Sequence, residues 1–135
     1  MYKNILVPIA FDAEHSPEAA LDVARALCAP GARITLLHVM SEVPAYAISY
    51  MPEGYAAELK HSVQQELDTL ARTLPDAQGE VVIGAAAPEI LEYARAHEAD
   101  CIIIASHRPG LQDYLLGSTA SRVVKHAKCS VVVLR

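Results

Sequence analysis

The sequence contains no cluster of basic residues, no apolar run long enough to cross a bilayer, and only three cysteines. Its 11 Lys and Arg are outnumbered by 16 Asp and Glu, for a formal net charge of −5. With the cations scattered, neither nucleic acid nor an anionic membrane has an electrostatic footprint to hold, and neither is expected as a partner. The opening MYKNILVPIAFD is far too short to span a membrane and lacks the small-residue cleavage pattern of a secretory signal. Cys28, Cys101 and Cys129 are odd in number and share no C-x-x-C spacing. They read as small hydrophobes in a reducing cytoplasm rather than as disulfides or zinc ligands.

Other chemistries fail on motif grounds. The six histidines, His15, His38, His61, His97, His107 and His126, share no ligand spacing, so no metal is expected. His38 lies inside an apolar run and reads as a hydrogen-bonded core histidine. There is no G-x4-G-K-[ST] and hence no P-loop. Asp12, His15 and Ser16 are close in sequence, but no G-x-S-x-G elbow surrounds them, which excludes the usual hydrolase setting.

What is present is an alternation. Asn4–Ile9 is apolar and β-branched, a strand with Pro8 near its end. Ser16-Pro17 is a helix start, serine as cap and proline at the first helical position, and Ala20, Val23, Ala24 and Leu27 form its inward stripe until Pro30-Gly31. Residues 33–40, RITLLHVM, form a second strand. Residues 41–55 carry two prolines, a glycine and three tyrosines without period, a long loop that is either a lid or a plain connection. Leu59, Val63, Leu67, Leu70 and Leu74 mark the longest helix. Gln78-Gly79 closes that segment, and Glu80–Ile83 is a short third strand. Pro88-Glu89 opens a helix with Ile90, Leu91 and Ala94 inward. Cys101–Ala105 and Cys129–Leu134 are the fourth and fifth strands, separated by a helix over residues 119–127. With 53% hydrophobic residues and no repeats or linkers, residues 1–135 are expected to form a single α/β domain. Helices alternating with apolar strands require a parallel sheet with helices on both faces.

The most specific stretch is DCIIIASHRPGLQDYLLGSTASR, residues 100–122. A buried strand gives way to a polar loop and then to Gly117-Ser118-Thr119, where Ser118 or Thr119 would cap the following helix. A helix start of this kind offers main-chain N–H groups, hydroxyls and a partial charge of about +0.5 at one point. Gly117 admits a ligand oxygen where a side chain would block it, so a phosphate site and a plain helix cap both fit. Parallel sheets bind ligands beyond the carboxyl ends of their strands, where the winding reverses, and the loop after the fourth strand is such an end.

The opening ILVPI, the LLHV of the second strand, and IIIASHRPGLQDYLLGSTASRVVKHAKCSVVVLR resemble the universal stress protein family over the whole chain, in particular its shorter bacterial subgroup carrying ASHRP. The resemblance implies a doubly wound, five-stranded parallel sheet of order 3-2-1-4-5, like that of the adenine nucleotide alpha hydrolases. It implies ATP or another adenine nucleotide between the first and fourth strands, with Mg²⁺ able to accompany the phosphates. The family pattern there is G-x2-G-x9-G-[ST]. Gly117-Ser118 match its end, whereas Ala105 replaces the first glycine, the second is missing and the loop is one residue shorter. Ala10 stands where nucleotide-binding members have an aspartate.

Carried over residue by residue, Val39 would meet adenine through its main chain, and Pro8, Ile9 and Ala10 would lie against the base. Ser106, Gly110, Gly117, Ser118 and Thr119 would line the ribose and phosphates, with His107 or Arg108 supplying a contact by charge. The resemblance further implies a cytoplasmic stress-response protein. The apolar last strand, at a sheet edge in that order, implies a homodimer joined through it. Rival functions are slow ATP hydrolysis or phosphotransfer in the same pocket, and an interaction module with a vestigial pocket.

Overall fold

The computed structural model describes residues 1–11, 16–106 and 116–135. Asp12, His15, His107, Arg108 and Gly110 lie outside them. The elements are β1 (Tyr2–Pro8), α1 (Glu18–Leu27), β2 (Cys28–Met40), α2 (Ala45–Ile48), α3 (Tyr55–Ala71), β3 (Ala77–Ile83), α4 (Ala86–Ala96), β4 (Cys101–Ala105), α5 (Ser118–His126) and β5 (Ser130–Leu134). All neighbouring strands are parallel, in the order β3-β2-β1-β4-β5. No helix among the described residues is long and apolar enough to cross a membrane.

Successive strand residues face opposite sides, so an apolar run in a central strand supplies two cores at once. Ile5, Val7, Ile34, Leu36, Cys101 and Ile103 face one way, onto Leu21 and Ala24 of α1 and Leu67 and Ala71 of α3. Leu6, Leu37, Ile102 and Ile104 face the other way, onto Ile90 and Ala94 of α4 and Ala120 and Val123 of α5. Each fully buried aliphatic side chain contributes about 1.5–3 kcal/mol. The chain therefore winds outward from β1 to β3 with α1 and α3 on one face, then crosses back to β4 and β5 with α4 and α5 on the other.

The amino ends of the central strands are tied together. The Asp100 carboxylate accepts main-chain N–H bonds from Lys3 and Asn4 at 2.8 and 3.0 Å, and the Asn4 amide donates to the carbonyls of His97 and Glu98. Pro17, not Ser16 as expected, is the cap residue of α1, which starts at Glu18, although the Ser16 hydroxyl accepts from the Glu18 N–H at 3.3 Å. Several local expectations are corrected. Helix α1 ends at Leu27, before Pro30-Gly31, which instead lie in β2, where a register shift against β1 absorbs Gly31 with its φ of +78°. Helix α4 begins at Ala86, because Pro88 in a first turn lacks only an N–H that has no helical partner there. Of the expected leucine stripe, Leu67 and Leu74 are buried, while Leu59 is exposed on the outer part of α3. Residues 41–55 are not wholly irregular, since they contain α2.

Gly79 is the clearest correction. It belongs to β3 rather than to a turn, and a Cβ on it would lie 2.6 Å from Cβ of Leu67. Glycine is there so that α3 can seat directly on β3. Its φ is not in the left-handed region, so alanine would suit the backbone and only packing opposes it. Gly79→Ala is expected to lower the unfolding free energy by about 1–3 kcal/mol in urea titrations; an unchanged or raised midpoint would contradict this seating.

Only Cys101 of the three thiols is buried; Cys28 and Cys129 are half-exposed. Burial, followed by the proximity of Cys129 and Asp100, pushes the Cys101 thiol up to about 11. At about pH 8 roughly one molecule in a thousand would carry the thiolate. Iodoacetamide treatment of the native protein should modify Cys28 and leave Cys101 intact, as read by peptide mass spectrometry.

Candidate functional site

The site arises from an unequal pairing around β1. On one side β1 stays in register with β2 as far as Pro8 opposite Leu37, and the Ile9 N–H still donates to the Leu37 carbonyl at 2.8 Å. On the other side β1 pairs with β4 only at Ile5 with Cys101 and Leu6 with Ile102. Beyond Leu6 and Ile102 the two strands part, at the point where the winding reverses. A cavity of about 640 Å³ opens there, a size that suits a small organic ligand.

Pro8, Ile9 and Ala10 form one wall, Ile104 and Ala105 the opposite one, and Leu37, His38 and Val39 the side toward β2. The starts of three helices complete it: Ser16-Pro17 before α1, Ala86 of α4, and Gly117-Ser118-Thr119 at α5. The expected residues Pro8, Ile9, Ala10, Val39, Gly117, Ser118 and Thr119 are thus brought together. Ser106 is not among the lining residues. It is buried, its N–H donating to the Leu134 carbonyl and its carbonyl accepting from the Gly117 N–H. It pins the start of α5 to the end of β4. His107, Arg108 and Gly110 lie outside the described residues.

Ser16, Pro17, Leu37, His38, Ala86, Ile104 and Ala105 were not anticipated as lining residues. Their common signal is position, at the carboxyl end of a central strand or the first turn of the next helix.

No charged side chain lines the cavity among the described residues. Its polarity comes from helix ends, and these are not equivalent. At α1 the Ser16 hydroxyl already takes the Glu18 N–H, and Pro17 has none to offer. At α4, Pro88 removes a first-turn donor. At α5 the cap is Gly117, with φ −64° and ψ 161°, and no side chain bonds to the helix end. This corrects the expectation that Ser118 or Thr119 is the cap: both lie inside the first turn. The Ser121 N–H donates to the Gly117 carbonyl, and no described acceptor takes the N–H groups of Ser118, Thr119 or Ala120. Three donors and the positive end of the helix dipole therefore meet at one place, a geometry suited to an anion. Any residue can adopt the backbone angles of Gly117, so its conformation does not by itself require glycine.

The family model for the "Universal stress protein family" matches residues 1–135. The chain belongs to the universal stress protein family. It is 30% identical to Universal stress protein G of Escherichia coli O157:H7 over 143 residues, covering all of both chains. It is similar to the structure of UspA from Lactobacillus plantarum, with 30% identity, a TM-score of 0.70, and 99% and 98% of the two chains covered. It is also similar to hypothetical protein MJ0577, with 27% identity, a TM-score of 0.80, and 99% and 96% covered. More distant family structures share the fold and were solved with nucleotides. One holds cAMP (17% identity, TM-score 0.69), one from Archaeoglobus fulgidus holds dAMP (16%, 0.63), and one from Arabidopsis thaliana holds AMP (14%, 0.65).

His38 is hydrogen-bonded, as expected, but it is half-buried rather than in the core, and it lines the cavity. Its Nδ1 lies 2.7 Å from the Ile9 carbonyl oxygen, which can only accept. Nδ1 therefore carries the proton. The ring also meets Phe11 at a centroid separation of 5.2 Å, so His38 ties the chain leaving β1 to β2. Leucine at this position would leave the Ile9 carbonyl unpaired. His38→Leu is expected to cost about 1–3 kcal/mol of stability, with His38→Asn, whose amide nitrogen sits near the place of Nδ1, recovering much of it in thermal melts.

Proposed function

We propose that this chain binds an adenine nucleotide in the crevice between β1 and β4 and acts in the cytoplasm as a ligand-responsive stress protein. The observation that carries the reading is the first turn of α5, whose three N–H donors open onto a cavity with apolar walls. A planar base fits between Ile9 and Val39 on one side and Ile104 on the other. The phosphate goes to Gly117, Ser118 and Thr119, and the ribose lies between them, beside Ala10. The nucleotides held by family structures of the same fold support this choice of ligand. No group of three or more His, Cys, Asp or Glu side chains stands together among the described residues, so a Mg²⁺ ion would rest on the phosphates themselves.

The homodimer belongs to the same reading. Ser106 bonds to the Leu134 carbonyl on the β4 side, so in the two-residue alternation Val131 and Val133 turn their main-chain groups away from β4. These face the outer edge of the sheet. At the opposite edge, Asp76 and Gly84 bond toward β2, which leaves Gly79 facing out, and its carbonyl is taken by the Gln64 amide at 2.8 Å. One outward carbonyl taken in this way makes that edge the poorer template for another strand, and β5 is the strand we propose to pair. Static light scattering at micromolar concentration is expected to give twice the mass of the chain, and a monomer would remove the dimer from the proposal.

The ligand test is calorimetric titration with AMP, ADP and ATP. Gly117→Val is expected to weaken binding at least tenfold, a loss of about 1.4 kcal/mol or more, with little change in melting temperature. Affinity equal to that of the parent would overturn the placement of the phosphate. Steady ADP release from ATP that Ser118→Ala abolishes would replace binding by slow turnover. The absence of any heat or thermal shift at millimolar nucleotide would leave an interaction module.

A further inference from the structure

A second cavity lies away from the crevice, between α2, the start of α3 and the end of β3, with a volume of about 850 Å³. Val43, Ile48, Tyr55 and Ile83 line it, and each is exposed. Tyr46 and Tyr50, the latter 87% exposed, are chain neighbours of the lining residues Ala45 and Met51. Of the ten large apolar side chains exposed among the described residues, seven fall between residues 43 and 59 or at Ile83. Scattered exposed apolar residues need no explanation, but a concentration around a groove marks a contact surface. Helix α2 supplies much of this surface, and it buries none of its four residues.

The charges at the groove are of one sign. Glu42 and Glu53 are the charged residues lining it, Glu58 follows on α3, and residues 41–59 contain no Lys, Arg or His. A second copy placed on this face by a two-fold axis would set these carboxylates against their own equivalents in a chain that already carries −5. An anionic membrane surface would be repelled likewise. We infer that the groove of α2, α3 and Ile83 is a docking site for an amphipathic segment of another protein, apolar on the face that enters and basic on its flanks. The apolar floor supplies affinity, and the acidic rim selects the partner and speeds its encounter.

The groove is linked to the first cavity along the chain at two places. Val39 lines the crevice and Glu42, three residues on, lines the groove; Ile83 lines the groove and Ala86, three residues on, lines the crevice. The Gly84 N–H donates to the Met40 carbonyl at 2.9 Å, joining these two stretches. Docking here is therefore placed to sense what occupies the crevice, although the docking itself does not depend on a nucleotide.

The test uses the full chain without nucleotide and a fluorescent synthetic peptide, leucines along one helical face and lysines along the other, followed by anisotropy. Binding is expected. The Ile48→Ser, Tyr50→Ser double variant, altered only at exposed positions, should weaken it at least about tenfold. Glu42→Lys with Glu53→Lys should transfer the preference to a matching peptide with glutamates in place of lysines. The proposal is overturned if the lysine peptide fails to bind, or binds parent and variants alike. It is also overturned if the double serine variant lowers the oligomeric mass, or if phosphatidylglycerol vesicles bind the chain and the peptide does not.

Discussion

Strands β1 and β4 pair over two residue positions, while β1 follows β2 to its end, and this inequality shapes the molecule around it. The Asp100 carboxylate and the Asn4 amide hold the two strands together at their amino ends. Past Leu6 and Ile102 nothing keeps them in register, and the helices on the two faces approach the gap from opposite sides. The crevice is thus a product of connectivity. A sheet that winds one way from its first strand and then the other must leave room at that strand's carboxyl end.

Much of this was legible in the sequence because the signals were covalent or periodic. Runs such as CIIIA and ITLL suit strands covered on both faces better than half-exposed ones, and the two cores confirm the alternation residue by residue. Gly79 shows where such reasoning fails. Glycine after glutamine resembles a turn locally, whereas its true reason is a helix seventeen residues long pressing on it from above. Pro30-Gly31 misled in the same way, since a bulge in a long strand uses the residues that also end helices.

The candidate site divides along the same line. Gly117 could be found from a helix start, whereas Pro8, Ile9 and Val39 came from the resemblance to the family. His38 was read correctly as a bonded histidine, but its place on the cavity depends on the tilt of one strand against its neighbour, which no residue spacing encodes. The cap of α5 was misplaced by one or two residues. The shift has chemical weight: with Gly117 as the cap, no side chain bonds to the helix end, and no described acceptor takes the first-turn amides. In the proposed site the attraction for an anion would come from fixed dipoles inside a cleft without ionic side chains among the described residues, in a chain whose net charge is negative. Dipoles of this kind act over the length of a turn, so they hold an anion that has arrived and do little to draw one in from a distance.

The amide of Gln64 over the Gly79 carbonyl has a consequence for how copies of the molecule can meet. If both borders of the sheet were open, one chain could add to the next, front to back, without end. With a carbonyl of one border already taken, the pairing proposed through the other would set like against like, and a union of that kind is complete at two.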